Sequence, residues 1–232
     1  MVYVYSIIDE PTIPAPAILG LDGAALHTLE YRDIGAVLSL SPTSKVPPTE
    51  ANLWQHEAVV EALMTDHSVL PVRFGTILPD ESVALAKLTA LYDEFIAGLN
   101  CVRGHVELGL RVLWDDDVPQ TPSRRLVPSG GSGRDYMLGQ VEEQRKLDKQ
   151  REQAKALAED IHASLARLSA ESIRRTLMTP RLLLTAAYLV KRERVEAFRQ
   201  EVEMLSLANP GVRLLCTGPW PPYNFVMVTN NE

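Results

Sequence analysis

The chain has 232 residues, of which 46% are hydrophobic and 23% are charged, as in globular proteins with a substantial core. The net charge of −7 argues against nucleic acid or an anionic membrane as the main partner, and no apolar run approaches the roughly 18 to 20 residues of a membrane span. The N-terminus lacks the basic region of a signal peptide, and Cys101 and Cys216 are far apart in sequence. We therefore expect a cytoplasmic protein that keeps both cysteines reduced.

Residues 1–100 predict an N-terminal α+β domain in which a sheet packs against helices. Thr49 is a predicted N-cap, and the helix that follows it would place Leu53, His56, Val60 and Leu63 on one face. In chain order, the predicted elements are a strand at 2–8, a short helix at 21–26, two strands within 29–40, a helix at 49–66, a strand beginning at 69 and a helix from about 80 to 100.

The stretch SVLPVRFGTILPD at 68–80 places an arginine, Arg73, inside an apolar run. A guanidinium stays charged in proteins, so a buried Arg73 would need a carboxylate or several carbonyls around it. The alternatives are a structural salt bridge and a site that holds an anion or a carboxylate of a partner. The sequence Phe74-Gly75-Thr76 predicts a bulge or turn.

A single periodic helix is predicted after this stretch, with Asp80 or Ser82 as its N-cap and an end near Asn100. Its predicted apolar face consists of Leu85, Leu88, Tyr92, Phe95 and Leu99.

Residues 101–232 repeat the order of strand, helix, two strands, helix and strand. This βαββαβ order predicts a C-terminal ferredoxin-like domain that is joined to the first domain by the helix ending near Asn100. Its predicted elements are a strand at 106–114, a flexible loop at 119–133, a long helix at 135–168, strands at 172–178 and 182–190, a helix at 192–207 and a strand at 212–217.

The strand at 182–190 is apolar throughout and does not alternate. A sheet with helices on only one face would show polar residues on the other face. We therefore expect the second face to be covered by the other domain or by a partner, and Leu184, Ala186 and Tyr188 are candidate partner contacts.

The stretch GPWPPYNF at 218–225 contains three prolines that favour a polyproline-like path. Such a path has about three residues per turn, so Trp220 and Tyr223 would face the same way. The pair would form an aromatic lid on the core, a docking surface, or both.

No pattern in the sequence indicates catalysis or a cofactor. The five histidines and two cysteines lack the spacings of a zinc site, and no Walker A, GxGxxG or GxSxG motif is present. Residues 115–117 are three consecutive aspartates, which are more typical of a solvated loop than of a cation site. The residues alone therefore predict an interaction protein without enzymatic activity.

Four blocks follow one another along the chain: VLPVRFGT, a Glu in GHVELGLRVLW, AYLV and TGPWPPYNF. In their sequence and order, these blocks resemble the GvpF/GvpL family of gas vesicle proteins. The resemblance spans Tyr3 to about Val228. It implies a cytoplasmic or vesicle-associated accessory protein that assists shell assembly by binding the small hydrophobic shell protein GvpA, and possible contacts with other gas vesicle proteins. It also implies a C-terminal ferredoxin-like domain and an α+β N-terminal domain. The matched positions include Pro71, Arg73, Phe74 and Gly75.

Two alternative functions remain from the sequence. One is a ligand-binding or haem-binding enzyme built on tandem ferredoxin-like domains, which would need a polar pocket with a histidine ligand. The other is an RNA-binding module, which would need a basic surface with stacking aromatics and is opposed by the acidic balance.

The composition of the loop at 119–133 predicts easy proteolysis, because Pro, Gly and Ser supply too little apolar surface to order it. Limited trypsin digestion, followed by mass spectrometry, should cut first at Arg124, Arg125 or Arg134. Initial cleavage elsewhere, with these three sites intact, would show that the loop is docked.

Overall fold

The structure is a computed structural model that describes residues 1–11, 18–114, 133–175 and 182–226. These residues form helices and two antiparallel sheets, which agrees with the α+β prediction. The chain divides into two compact units, one made of residues 1–107 with the segment from Gly218 onward, and the other of residues 108–217. None of the described helices is both long and apolar enough to cross a membrane.

The first unit contains a sheet whose strands lie in the order β2-β3-β1-β4, with β5 also paired to β1. A single 3₁₀ turn at Leu21–Gly23 stands where a short helix is predicted. The elements are β1 (Val2–Asp9), β2 (Leu26–Tyr31), β3 (Ile34–Leu40), α1 (Glu50–Leu63), β4 (Val69–Pro71), β5 (Ile77–Leu78), α2 (Glu81–Ala90) and α3 (Tyr92–Val102).

The central strand β1 is buried at every residue, because the sheet carries helices on both faces. A register shift between Val4 and Ser6 changes which side chains point to each face. One face packs with α1, in a core made of Tyr3, Tyr5, Ile8, Leu21, Val37, Val59, Val60, Leu63 and Val69. The other face packs with α2 and α3, in a core made of Val2, Val4, Ile7, Ile34, Ala36, Leu38, Leu70, Ala84, Leu88, Phe95, Leu99 and Val102.

Helix α1 begins after Thr49, whose side chain accepts a hydrogen bond from the Asn52 amide at 3.3 Å, as the predicted N-cap requires. His56, Val60 and Leu63 are buried as predicted. Leu53 is exposed, so it does not belong to the buried face of the helix as predicted.

The helix predicted from 80 to 100 is two helices, because Leu91 leaves the helical conformation with φ −104° and ψ 17°. Asp80 caps α2 by accepting a hydrogen bond from the Val83 amide at 2.9 Å. The break turns the chain so that α2 and α3 both lie on one core. Leu88 is buried on this core, but Leu85 is exposed, and α3 continues beyond Asn100 to Val102.

The sheet of the second unit has the strand order β7-β8-β6-β9, and β7 pairs antiparallel with β8. Strand β6 begins in the first unit and continues into the second, whereas β9 begins in the second unit and ends in the first. The elements are β6 (His105–Trp114), α4 (Gly133–Ala166), β7 (Glu171–Arg175), β8 (Leu182–Lys191), α5 (Val195–Ala208) and β9 (Val212–Trp220). The predicted loop at 119–133 lies outside the described residues except for Gly133, the first residue of α4.

Among the α4 side chains that the structure describes, the buried ones lie in the second half of the helix. Ala154, Ala158, Ile161 and Leu165 are buried in the core of the second unit, together with residues of β6, β8, α5 and β9. Met137 and Val141 in the first half are exposed. The sequence agrees with this division, since the stretch VEEQRKLDKQREQ in the first half is nearly all polar.

The predicted domain boundary between residues 100 and 101 stays a prediction. The two compact units divide the chain at other points, after Glu107 and before Gly218.

The exposures of Leu85 and Leu88 provide a test of the break at Leu91. Leu88 is 1% exposed and Leu85 is 38% exposed. Leu88→Ala should lower the free energy of unfolding by about 2–5 kcal/mol, because it leaves a cavity in the core. The matched variant Leu85→Ala should cost less than about 1 kcal/mol. Equal losses in chemical denaturation would mean that Leu85 packs on the core as Leu88 does, as the predicted single helix requires.

Candidate functional site

The end of the described chain folds back onto the first unit as a short anchored segment, residues 218–226. Strand β9 ends at Trp220, and two buried prolines, Pro221 and Pro222, lead into a single 3₁₀ turn at Tyr223–Phe225. The Phe225 ring is buried. We call residues 218–226 the C-terminal segment.

Glu107 holds the C-terminal segment with both of its carboxylate oxygens. Its Oε2 accepts a hydrogen bond from the Asn224 backbone amide at 2.9 Å, and its Oε1 accepts one from Asn224 Nδ2 at 2.5 Å. Burial raises the pKa of Glu107, and the two bonds from Asn224 partly offset this rise. The buried carboxylate therefore depends on Asn224 for its hydrogen bonds.

Glu57 of α1 makes the second contact to the C-terminal segment. The Tyr223 hydroxyl donates a hydrogen bond to Glu57 Oε2 at 2.9 Å. Burial raises the pKa of Glu57, and the hydrogen bond from Tyr223 opposes this rise. Burial also raises the pKa of Tyr223, and the nearby charge of Glu57 adds to the effect. Tyr223 therefore stays protonated and remains the donor.

The chain between β4 and β5 stays alongside β1 except at residues 73–75, which form a turn. The Val72 amide donates to the Tyr5 carbonyl at 2.9 Å, and the Val4 amide donates to the Thr76 carbonyl at 3.0 Å. Residues 73–75 turn outward between these two bonds, and the glycine of this turn has a φ of 84°, which favours glycine. This confirms the predicted turn, which we call the 73–75 turn.

Tyr3 connects the 73–75 turn to α1. Its hydroxyl accepts a hydrogen bond from the Gly75 amide at 2.9 Å and lies 3.0 Å from His56 Nδ1, to which it can donate. Burial lowers the pKa of His56 to about 4, so the imidazole is neutral at pH 7. The Phe74 ring packs edge-on against both the Tyr3 and His56 rings.

Arg73 is exposed, which corrects the interpretation of this residue as a buried structural charge. No carboxylate of the described residues forms an ion pair with it. The predicted ligand role for Arg73 stays a prediction.

The other predicted contacts in the first unit are only partly exposed. Phe74 and Tyr223 are half-buried, while Trp220 is 37% exposed. Tyr223 lies close enough to Tyr3 for Tyr3 to contribute to its raised pKa, after burial and Glu57. The blocks VLPVRFGT and GPWPPYNF both contact helix α1, through Phe74 on His56 and through Tyr223 on Glu57.

The predicted contacts on β8 lie in the core of the second unit. Leu184, Ala186 and Tyr188 are buried on the face that packs with α4 and α5. The Tyr188 hydroxyl lies 2.9 Å from His162 Nδ1 of α4, and burial raises its pKa. Their role as partner contacts stays a prediction. Ala187 and Leu189, which alternate with these residues along β8, are buried as well.

The contacts of Glu57, Glu107 and Asn224 were not predicted from the sequence. A carboxylate inside the apolar strand HVELGL is a usable signal for Glu107, because a buried charge needs partners. The hydrogen-bond donors come from residues 117 positions later, and such a long-range pairing has no local pattern.

No group of three or more His, Cys, Asp and Glu side chains in the described part of the chain is arranged to hold a metal ion. The three aspartates at 115–117 lie outside the described residues. His56 and His67 are both buried, and the Nδ1 atom of His67 lies 2.8 Å from the Asp9 carbonyl oxygen.

Comparison with known proteins decides the family. The family model described as "Gas vesicle synthesis protein GvpL/GvpF" matches residues 1–227. This chain belongs to the GvpL/GvpF family. It is therefore a gas vesicle protein, as the resemblance in the sequence implies.

Relatives of this GvpL/GvpF protein carry the names of gas vesicle proteins. Gas vesicle protein L from Streptomyces sp. (strain CB03234) is 30% identical over 99% of this chain and 94% of its own length. Gas vesicle protein F2 from Halobacterium salinarum (strain ATCC 700922 / JCM 11081 / NRC-1) is 27% identical over 97% of this chain and 91% of its own length.

The fold of this GvpL/GvpF protein is similar to that of solved GvpF structures. The crystal structure of GvpF from Anabaena sp. PCC7120 superposes with a TM-score of 0.80 at 21% identity and covers 100% of this chain and 98% of that chain. GvpF from Microcystis aeruginosa gives a TM-score of 0.75 at 22% identity and covers 98% of this chain and 99% of that chain.

The raised pKa of Glu57 predicts a specific pH dependence. An unfolded Glu titrates near pH 4.3, so the folded state holds the extra proton between about pH 4.3 and its raised pKa. The contribution of Glu57 to the free energy of unfolding therefore falls as pH rises through that window. Glu57→Gln removes this titration and keeps an oxygen that accepts from Tyr223.

We expect Glu57→Gln to be more stable than the wild type at pH 7 in chemical denaturation, and the difference to shrink as the pH falls toward about 4. Glu61→Gln, an exposed carboxylate one helical turn away, is the control and should show a smaller change. A stability difference for Glu57→Gln that does not change with pH would contradict this assignment.

Proposed function

We propose that this protein assists assembly of the gas vesicle shell by binding the small hydrophobic shell protein GvpA. Membership of a family described as gas vesicle synthesis proteins supports a role in assembly. We further propose that it acts in the cytoplasm and associates with the vesicle, where it also contacts other gas vesicle proteins. In this role it is an accessory protein and not an enzyme.

The observation that carries the proposal is the anchoring of the C-terminal segment. Pro221, Pro222 and Phe225 are buried, and carboxylates hold Tyr223 and Asn224. The neighbouring Trp220 is 37% exposed in the same segment. A large apolar side chain that is held in place before binding loses little conformational entropy on binding, and tryptophan is enriched among the residues that dominate interfaces.

The direct contacts in this proposal lie in the first unit, as it includes the C-terminal segment. They are Trp220 and Tyr223 of that segment with Arg73 and Phe74 of the 73–75 turn. Leu184, Ala186 and Tyr188 could touch a partner only if α4 or α5 left the sheet, because they are buried under these helices. We propose that these three residues contribute to partner binding indirectly, by supporting the sheet.

We also propose that the fold consists of two domains, 1–100 and 101–232, and that the second domain is ferredoxin-like. In this proposal the second domain carries the main contact to the shell protein, through Trp220. The element order β6-α4-β7-β8-α5-β9 and the strand order β7-β8-β6-β9 support the ferredoxin-like assignment. Separate expression of the two halves would remove Glu57 from Tyr223, so full-length variants give the clearer test.

The test is co-expression of the shell protein with the tagged full-length chain, followed by affinity purification. The shell protein should co-purify with the wild type. Trp220→Ala should reduce the recovered shell protein about tenfold, which corresponds to a loss of about 1.4 kcal/mol. Arg73→Ala should also reduce recovery while leaving the free energy of unfolding within about 0.5 kcal/mol, because the side chain is exposed.

The control is Leu40→Ala, which truncates an exposed leucine at the end of β3 that is not one of the proposed contacts. It should retain full binding. Failure of the wild-type chain to recover the shell protein, while it recovers another gas vesicle component, would refute the assignment of GvpA as the partner.

A further inference from the structure

Helix α1 presents an outer face on which Glu50, Trp54 and Glu61 are exposed. Glu50, Trp54, Glu57 and Glu61 follow at intervals of four, three and four residues, which places them on one stripe of the helix. The opposite side of the helix is the buried one, with His56, Val59, Val60 and Leu63. We call the outer stripe together with Leu53 the α1 face.

Trp54 is the main apolar group of the α1 face. It is 63% exposed, and its Nε1 donates a hydrogen bond to Glu50 Oε1 at 3.3 Å, which holds the ring along the helix. Leu53 beside it is 44% exposed. Tryptophan is highly buried on average, so an exposed Trp next to an exposed Leu is a typical mark of a contact surface.

The charged side chains of helix α1 are all acidic, because it contains three glutamates and no Lys or Arg. Glu50, Glu57 and Glu61 form no ion pair with any Lys or Arg of the described residues. Burial raises the pKa of Glu57, and the negative charge of Glu61 adds to this rise. A cation placed on this face would relieve the repulsion among the carboxylates.

The α1 face is continuous with the C-terminal segment. Glu57, one turn after Trp54, accepts the hydrogen bond from Tyr223. The segment that carries the family motif is therefore fixed beside the exposed Trp54. Helix α5 offers a contrast, since its exposed Met204 and Leu207 lie on a helix that carries both Glu203 and Arg199 and so favours no charge on a partner.

We propose that the α1 face binds a basic amphipathic helix of a partner protein, with the apolar side of that helix against Trp54 and Leu53 and its Lys or Arg side chains against Glu50 and Glu61. The apolar contact supplies affinity, and the carboxylates select basic over acidic helices. This inference goes beyond the proposed shell-protein binding. It does not depend on that proposal, because the α1 face contains none of the residues proposed to contact the shell protein.

The test uses the full-length chain and two synthetic amphipathic peptides with the same leucine positions, one with lysine and one with glutamate on the polar face. In calorimetric titration, the lysine peptide should bind at least about tenfold more tightly than the glutamate peptide. Trp54→Ala should weaken binding of the lysine peptide about tenfold. The double variant Glu50→Gln/Glu61→Gln should weaken it and flatten its dependence on salt.

Two controls separate this site from the general acidity of the protein. The double variant Glu196→Gln/Glu203→Gln removes the same charge from exposed positions of α5 and should leave binding unchanged. Leu207→Ala removes an exposed apolar side chain from the same helix and should also have no effect. Far-UV circular dichroism and the unfolding midpoint establish that each variant is folded.

Three results would overturn the proposal: equal affinity for the two peptides, equal effects of the α1 and α5 charge variants, or unchanged affinity in Trp54→Ala. Self-association of the wild type that Trp54→Ala abolishes, seen by analytical ultracentrifugation, would instead assign the α1 face to a second copy of this chain. The titration contains no shell protein, so its outcome is separate from that of the co-purification.

Discussion

The buried carboxylate of Glu107 is the constraint on which the arrangement of the first unit depends. A buried carboxylate without hydrogen-bond donors is costly, and burial already raises the pKa of this one. Its described donors, the backbone amide and side-chain amide of Asn224, come from the far end of the chain. The C-terminal segment must therefore return to the first unit, although most of strand β9 before it belongs to the second.

This return has consequences for the surface of the protein. Tyr223 reaches Glu57 of α1, and the same helix contributes His56 to the contact with Tyr3. Tyr3 in turn holds the 73–75 turn through the Gly75 amide. The two sequence blocks that first indicate the gas vesicle family are thus parts of one hydrogen-bonded arrangement. Within this arrangement, Arg73 and Trp220 are exposed.

Local patterns predicted most of the elements but not the long-range contacts. Thr49 and Asp80 act as N-caps as predicted, because capping depends on residues within one helical turn. The break at Leu91 was not predicted, because the apolar periodicity of the sequence continues through it and gives no sign of the bend. Arg73 was misinterpreted for a related reason: an apolar run does not reveal that the chain turns outward within it. Glu107 was visible as an unusual residue, but its partner was 117 positions away.

The coupling between Glu107 and Asn224 tests this account most directly. A double-mutant cycle in the full-length chain would compare the free energies of unfolding of Glu107→Ala, Asn224→Ala and the double variant with that of the wild type. Hydrogen bonds to a charged group contribute about 1.5–3 kcal/mol, so we expect a coupling energy of at least about 1.5 kcal/mol. Additive losses, with a coupling energy near zero, would show that Glu107 does not hold the C-terminal segment and would contradict the account.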